Sequence, residues 1–178
     1  MRVAFTGHRP EQLNIQQDEL SQSGQALQDL IWREIWTQEK AGADTFLCGA
    51  AKGADIMCGE LILAEKQTTD PQIKLICAIP FREQADRWSF EWKLRYRELL
   101  KEADQVVQVC DSYQRGCFHI RNRYLVDNCD LLIAIYNGEG KGGTAYTVNY
   151  AMKQGKEIVI LNPNTLTREV IPARTTGQ

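Results

Sequence analysis

The feature that most constrains this chain is a strict alternation of short apolar runs with longer amphipathic segments. The runs are Val3–Phe5, Thr45–Cys48, Ile73–Ile79, Gln105–Cys110, Asp130–Tyr136 and Glu157–Leu161. Each is too short for a buried helix and is bounded by turn residues, so each reads as a strand. Between them the spacing is helical. The segment from Leu20 to Gly42 carries Leu27, Leu30, Ile31, Glu34 and Ile35 at steps of i, i+3, i+4 and i+7, and Gly42 stands where such a helix would stop. Ala54–Gln67, Trp88–Ala103, Phe118–Asn128 and Thr144–Gln154 read the same way, the last stopped by Gly155.

Strands that are apolar on both faces must be covered on both faces, and the intervening helices are the only segments available to do it. The expected fold is therefore α/β: a Rossmann-like three-layer sandwich with a mostly parallel sheet of about six or seven strands. With 178 residues and 43% hydrophobic content, the chain suits one domain over 1–178, with an irregular tail from about Pro163. Its 21 basic and 23 acidic residues are mixed along the chain and leave a net charge of −2, which disfavours a nucleic-acid partner. No apolar run approaches the roughly 20 residues of a membrane span, so no membrane association and a cytoplasmic location are expected. The six cysteines (Cys48, Cys58, Cys77, Cys110, Cys117, Cys129) form no C-x-x-C pair and only two histidines accompany them, so no metal site is expected. Cys48, Cys77 and Cys110 fall in strand runs, where a reduced thiol packs as a small hydrophobe.

In open parallel sheets the ligand crevice lies outside the carboxyl ends of the strands, which makes the residues just after each run the informative ones. After the first run comes Thr6-Gly7-His8-Arg9-Pro10, and after the second Gly49-Ala50-Ala51-Lys52-Gly53-Ala54-Asp55. After the third comes Pro80-Phe81-Arg82, and after the fifth Tyr136-Asn137-Gly138-Glu139-Gly140-Lys141-Gly142-Gly143-Thr144. Glycines just before a helix permit close backbone approach, and the exposed N–H groups with the helix dipole favour a phosphate or carboxylate. Gly142-Gly143-Thr144 fits that reading best; the Thr144 hydroxyl either caps the helix or donates to a phosphate oxygen. His8 and Arg9 are suited to an anion, the alternative being a solvated loop in which Arg9 pairs with a nearby acid. Arg121 and Arg123 lie two residues apart on a helix and point to different faces, so one of them reaches the crevice. An arginine serving a solvent-filled crevice is expected to matter little to the core. Tyr136 and Phe81 either stack on a base or ribose or plug the core. Asp55 either caps the second helix or bonds a ribose hydroxyl. Trp88, Trp92 and Tyr96 recur every four residues and form either an ordinary packing face or a surface on which two copies associate.

These residues carry a resemblance. The first-run TGHRP, the second-run CGAAKGAD, and the pattern in which Pro80-Phe81 is followed by Gln84, Trp88, Tyr96, Leu99-Leu100 and Ala103-Asp104 resemble the YpsA-like branch of the SLOG superfamily. That superfamily also holds the DprA/Smf proteins and the LOG phosphoribohydrolases. The likeness runs over about Arg2 to Leu161. It implies a Rossmann-like fold with a pocket for a nucleotide or ADP-ribose-type molecule; no further cofactor is demanded. It also implies two rival activities, a LOG-like cleavage of nucleoside phosphates and a DprA-like hold on single-stranded DNA. LOG hydrolases carry a Gly-Gly-x-Gly-Thr-x-x-Glu loop and an arginine nine residues before the Asp that opens the following strand. Arg121 stands nine residues before Asp130 and matches. The loop is shortened to Gly142-Gly143-Thr144, however, and Thr147 stands where the Glu belongs. Cleaving an N-glycosidic bond calls for a carboxylate, which a threonine does not supply.

Overall fold

The computed structural model describes residues 1–13 and 19–174. Seven strands and five helices alternate through it. They run β1 (Arg2–Gly7), α1 (Gln22–Lys40), β2 (Thr45–Cys48), α2 (Ala54–Thr68), β3 (Lys74–Ile79), α3 (Phe90–Glu102), β4 (Gln105–Gln108), α4 (Cys117–Asp127), β5 (Leu131–Ile135), α5 (Gly142–Lys153), β6 (Glu157–Asn162) and β7 (Thr167–Ile171). The sheet order is β4-β3-β2-β1-β5-β6-β7, with every pair parallel except the antiparallel β6 and β7. The chain thus winds outward from β1 to β4, returns to the middle, and winds outward again from β5. The direction of winding reverses between β1 and β5, where Gly7 pairs with Ile135, and that is where an open α/β sheet parts to admit a ligand.

The two faces of the sheet bury different helices because side chains alternate along each strand. Val3 and Phe5 of β1, Phe46 of β2 and Leu75 of β3 pack with Leu27, Ile31 and Ile35 of α1, Ile56 and Ile62 of α2 and Leu99 of α3. Phe5 and Phe46 lie parallel, 6.0 Å between ring centroids, and both are fully buried. On the other face Ala4, Leu47 and Leu132 pack with Leu125 and Val126 of α4 and Val148 and Ala151 of α5. Burying a side chain of this size stabilises the fold by roughly 1.5–3 kcal/mol, so the three layers follow from the two rows of apolar side chains on each strand.

The helix ends follow local chemistry. Ser21 caps α1 by accepting a hydrogen bond from the Gly24 N–H at 3.1 Å. At the other end the N–H groups of Gly42 and Ala43 reach the carbonyls of Glu39 and Gln38, both at 2.9 Å, which closes the last turn. Trp88, Trp92 and Tyr96 pack toward the core as a helical face predicts, although Trp88 precedes α3 and meets Tyr96 edge-on at 5.4 Å.

Two departures from the sequence reading concern the sheet edges. β4 is an edge strand with mostly exposed side chains, so its Val-rich run is not covered on both faces. And the stretch read as irregular from Pro163 contains β7, whose Arg168 reaches Glu34 of α1 with Nε to Oε2 at 2.6 Å. Glu34 is buried and also accepts from Gln38 Nε2 at 2.6 Å. The last four residues of that tail lie outside the described residues.

Candidate functional site

The carboxyl ends of β1, β2 and β5 open onto a cleft of about 170 Å³. One wall comes from the β1 end (Thr6, Gly7, Arg9, with Gln12 beyond) and another from the β2–α2 loop (Ala51, Lys52, Asp55). The start of α4 supplies Phe118, His119, Arg121 and Asn122, and the start of α5 closes the cleft with Gly143 and Thr144. Residues more than a hundred positions apart meet here because β1 and β5 are neighbours.

The floor is a buried ion pair. Arg121 Nη1 donates to the Gly49 carbonyl and lies 3.7 Å from Asp55 Oδ2, while its Nε donates to Asn122 Oδ1 at 2.8 Å. Asp55 Oδ2 also receives the Ala51 N–H at 3.4 Å, so the carboxylate caps its own loop as well as facing the cleft. Burial pushes the Asp55 carboxyl up, and Arg121 pulls it partly back. The same burial pulls Arg121 down against the opposing effect of Asp55, and a guanidinium stays cationic throughout. Arg121 therefore does not stand apart from the core as the sequence suggested. It is 5% exposed and ties α4 to the β2–α2 loop at Gly49 and to the start of α2 at Asp55.

The glycines divide into two kinds. A Cβ at Gly49 would overlap the Arg121 guanidinium and come within 2.5 Å of Asp55 Oδ2. At Gly53, whose φ is +94°, a Cβ would lie 2.6 Å from the His8 carbonyl oxygen; the N–H of Ala54 donates to that same oxygen at 3.1 Å. At Gly7 a Cβ would overlap that of Ala54. These three glycines let the β1 and β2 loops press against each other and against Arg121. Gly143 differs, since a Cβ there would meet nothing nearer than Asn122 Nδ2 at 3.8 Å.

The start of α5 also lacks a side-chain cap. Its first N–H groups have no partner within the helix, and Thr144 and Gly143 line the cleft beside them. Thr147 is fully buried and donates its hydroxyl to the Gly143 carbonyl at 2.8 Å, one turn back on its own helix. Asn122 Nδ2 reaches that carbonyl as well, at 3.5 Å, tying α4 to α5.

Of the residues singled out in the sequence, Thr6, Gly7, Arg9, Asp55, Arg121, Gly143 and Thr144 line this cleft, and His8, Gly49, Ala50, Gly53, Pro80, Phe81, Tyr136, Asn137 and Gly142 do not. His8 is 2% exposed; its Nε2 lies 2.7 Å from Asn137 Oδ1 and accepts the Asn137 N–H at 3.1 Å, and its ring packs on Tyr136. Tyr136 donates its hydroxyl to the Glu139 carbonyl at 2.6 Å and plugs the loop base. Ala50 holds a left-handed backbone at φ 49° and faces inward. Lys52, Phe118, His119 and Asn122 are cleft residues that the reading passed over. Lys52 lies inside the CGAAKGAD stretch, so its signal was present.

A second cleft, of about 580 Å³, adjoins the first across Phe118, which lines both. It is formed by Phe81, Tyr113 and Phe118 with Glu83, Gln84, Asp86 and Arg87. Phe81 meets Tyr113 at 5.4 Å and Phe118 at 5.8 Å, each edge to face. Gln84 Nε2 reaches back to the Ala50 carbonyl at 3.5 Å. Burial pushes the Tyr96 phenol up and the Gln84 amide pulls it partly back, yet neither Gln84 Oε1 nor the Tyr96 hydroxyl gains a hydrogen bond of good geometry.

Against this geometry the family match is informative: the YspA SLOG family profile covers residues 3–166, from β1 to the turn before β7. The chain belongs to the YspA SLOG family. It is 34% identical over 134 residues to the uncharacterized SPbeta prophage-derived protein YoqJ of Bacillus subtilis (strain 168), covering 67% of this chain and 77% of that one. It is 25% identical over 156 residues to a UPF0398 protein of Bacillus cereus (strain B4264), covering 86% of this chain and 84% of the relative. Both clefts of this SLOG chain lie within the matched span. Among the described residues no group of His, Cys, Asp and Glu is placed to hold a metal, all six cysteines are free and buried, and no helix is long and apolar enough to cross a membrane.

Proposed function

We propose that this SLOG chain binds a nucleotide or nucleotide-derived small molecule, with the phosphate end in the 170 Å³ cleft, and acts as a cytoplasmic sensor or accessory factor. One observation carries the reading. Arg9, Lys52 and Arg121 line the cleft together with the uncapped N-terminus of α5, and among the described lining residues Asp55 is the one carboxylate. Three cations to one anion, with free backbone N–H groups and the Thr144 hydroxyl beside them, favour a bound anion. The cleft is smaller than the ~300–1,000 Å³ of a typical small-molecule site, which suits a phosphate or ribose phosphate. Buried reduced thiols fit a reducing compartment.

Binding is favoured over cleavage because the position of the LOG glutamate is held by Thr147, whose hydroxyl is committed to Gly143. A thermal-shift screen with AMP, ribose 5-phosphate, inorganic phosphate and adenosine tests the proposal, since a ligand of the folded state raises apparent stability. A shift with the phosphate compounds and none with adenosine is the expected result. No shift with any phosphate at millimolar concentration would overturn it, and free adenine appearing from AMP would move the protein to the hydrolases.

A further inference from the structure

We propose that the second cleft is the base-binding subsite of the same molecule, with the nucleobase held among Phe81, Tyr113 and Phe118. The inference rests on the phosphate reading of the first cleft. Its own support is separate. The first cleft is too small for a whole nucleotide, and Phe118 is a wall common to both clefts, so a ligand that outgrows the first has the second beside it. The two differ in charge as the two ends of a nucleotide do. Around the second cleft Glu83 and Asp86 outnumber Arg87, which repels a phosphate but not an uncharged planar ring.

The aromatic side chains fit the same role. Tyr113 is 68% exposed and meets Phe81 edge to face, so its ring stands in water beside the buried one. A base stacking there would cover an aromatic surface that the fold leaves open, and stacking tolerates any base. Gln84 also lines this cleft; it is 7% exposed, and its amide sits between the Ala50 carbonyl and the Tyr96 hydroxyl. His119, the other aromatic at the first cleft, has one face covered by Tyr146 at 4.1 Å.

The test is calorimetric titration of the full chain with AMP and with ribose 5-phosphate, on wild type, Tyr113→Ala, Tyr113→Phe and Tyr146→Ala. AMP should bind wild type about tenfold or more tightly than ribose 5-phosphate. Tyr113→Ala should remove that advantage while leaving ribose 5-phosphate affinity unchanged, and Tyr113→Phe should keep it. Equal affinities of AMP and ribose 5-phosphate for wild type would overturn the base subsite and leave the phosphate cleft standing. So would a loss of AMP affinity in Tyr146→Ala but not in Tyr113→Ala, which would put the base on the His119 side. If neither compound binds wild type, the phosphate reading falls first and this inference with it.

Discussion

The β2–α2 loop and the β5–α5 loop are both rich in glycine, and they use it for opposite ends. In the first, Gly49 and Gly53 make room for other parts of the protein: the Arg121 guanidinium, the Asp55 carboxylate and the backbone of the TGHRP stretch. In the second, Gly143 leaves room that no part of the protein fills. A missing side chain therefore serves packing in one loop and access in the other, and only the second kind points to a ligand.

The largest effect should come from filling the packed loop. Gly49→Val drives a side chain into the Arg121–Asp55 pair, and separating a buried pair combined with overpacking should destabilise the fold by more than about 3 kcal/mol. Urea denaturation measures it. A loss under about 1 kcal/mol would mean that the loop yields easily and that the two loops do not differ in kind.

Arg121→Ala comes next. It leaves the Gly49 carbonyl and the Asp55 carboxylate without their cationic partner, so stability should fall by about 2–3 kcal/mol and phosphate affinity should fall with it. Replacing Asp55 by Asn in the same protein should recover part of the stability, since the stranded charge is then gone, but none of the affinity. Additive losses in that double-mutant cycle would dissolve the pair as a unit.

How much of this was legible in the chain follows from where each signal resides. The parallel sheet was legible because burial on both faces writes itself into each strand as a continuous apolar run, as in Leu131–Ile135. β7 was not: Thr167–Ile171 is mostly exposed, and what holds it is antiparallel pairing with β6 together with an ion pair between Arg168 and Glu34, neither of which a local pattern encodes. The crevice edge could be placed from topology, and seven of the residues named for it do line the cleft. His8 could not be told from a ligand contact, because its burial depends on Tyr136 and Asn137, which arrive from a distant loop. Likewise a glycine in sequence does not disclose whether the space it leaves is filled by backbone, as at Gly53, or open, as at Gly143.

Gly143→Val separates binding from stability. The added side chain has room against the protein, so the urea midpoint should correspond to a change within about 1 kcal/mol. It occupies the cleft beside the α5 N–H groups, however, and should weaken AMP and ribose 5-phosphate by roughly ten- to a hundredfold. Calorimetric titration of a variant with wild-type stability and wild-type affinity would show that the open glycine faces nothing of consequence.

The smallest effect is a slope in stability with pH. Asp55 is not the only carboxyl raised in the folded state: burial, then the charges of Glu65 and Asp70, lifts Glu39 near the end of α1 to about 7. A carboxyl whose folded pKa exceeds its unfolded value of 4.5 binds its proton more tightly when folded, so its contribution is fullest in acid and is lost as pH rises from about 4.5 to about 7. Glu39→Gln should flatten that part of the curve and raise the urea midpoint on the alkaline side. Within this background the remaining slope reports Asp55, which has the same sign. Removing Arg121 takes away the pull that lowers the Asp55 pKa, so the deficit of Arg121→Ala should be greater at alkaline than at acidic pH, while Gly143→Val should run parallel to its parent. Urea midpoints over a series from acid to alkaline pH decide it. A deficit of Arg121→Ala that does not change with pH would mean that Asp55 is not the group left stranded, and that Arg121 supports the packed loop through the Gly49 carbonyl instead.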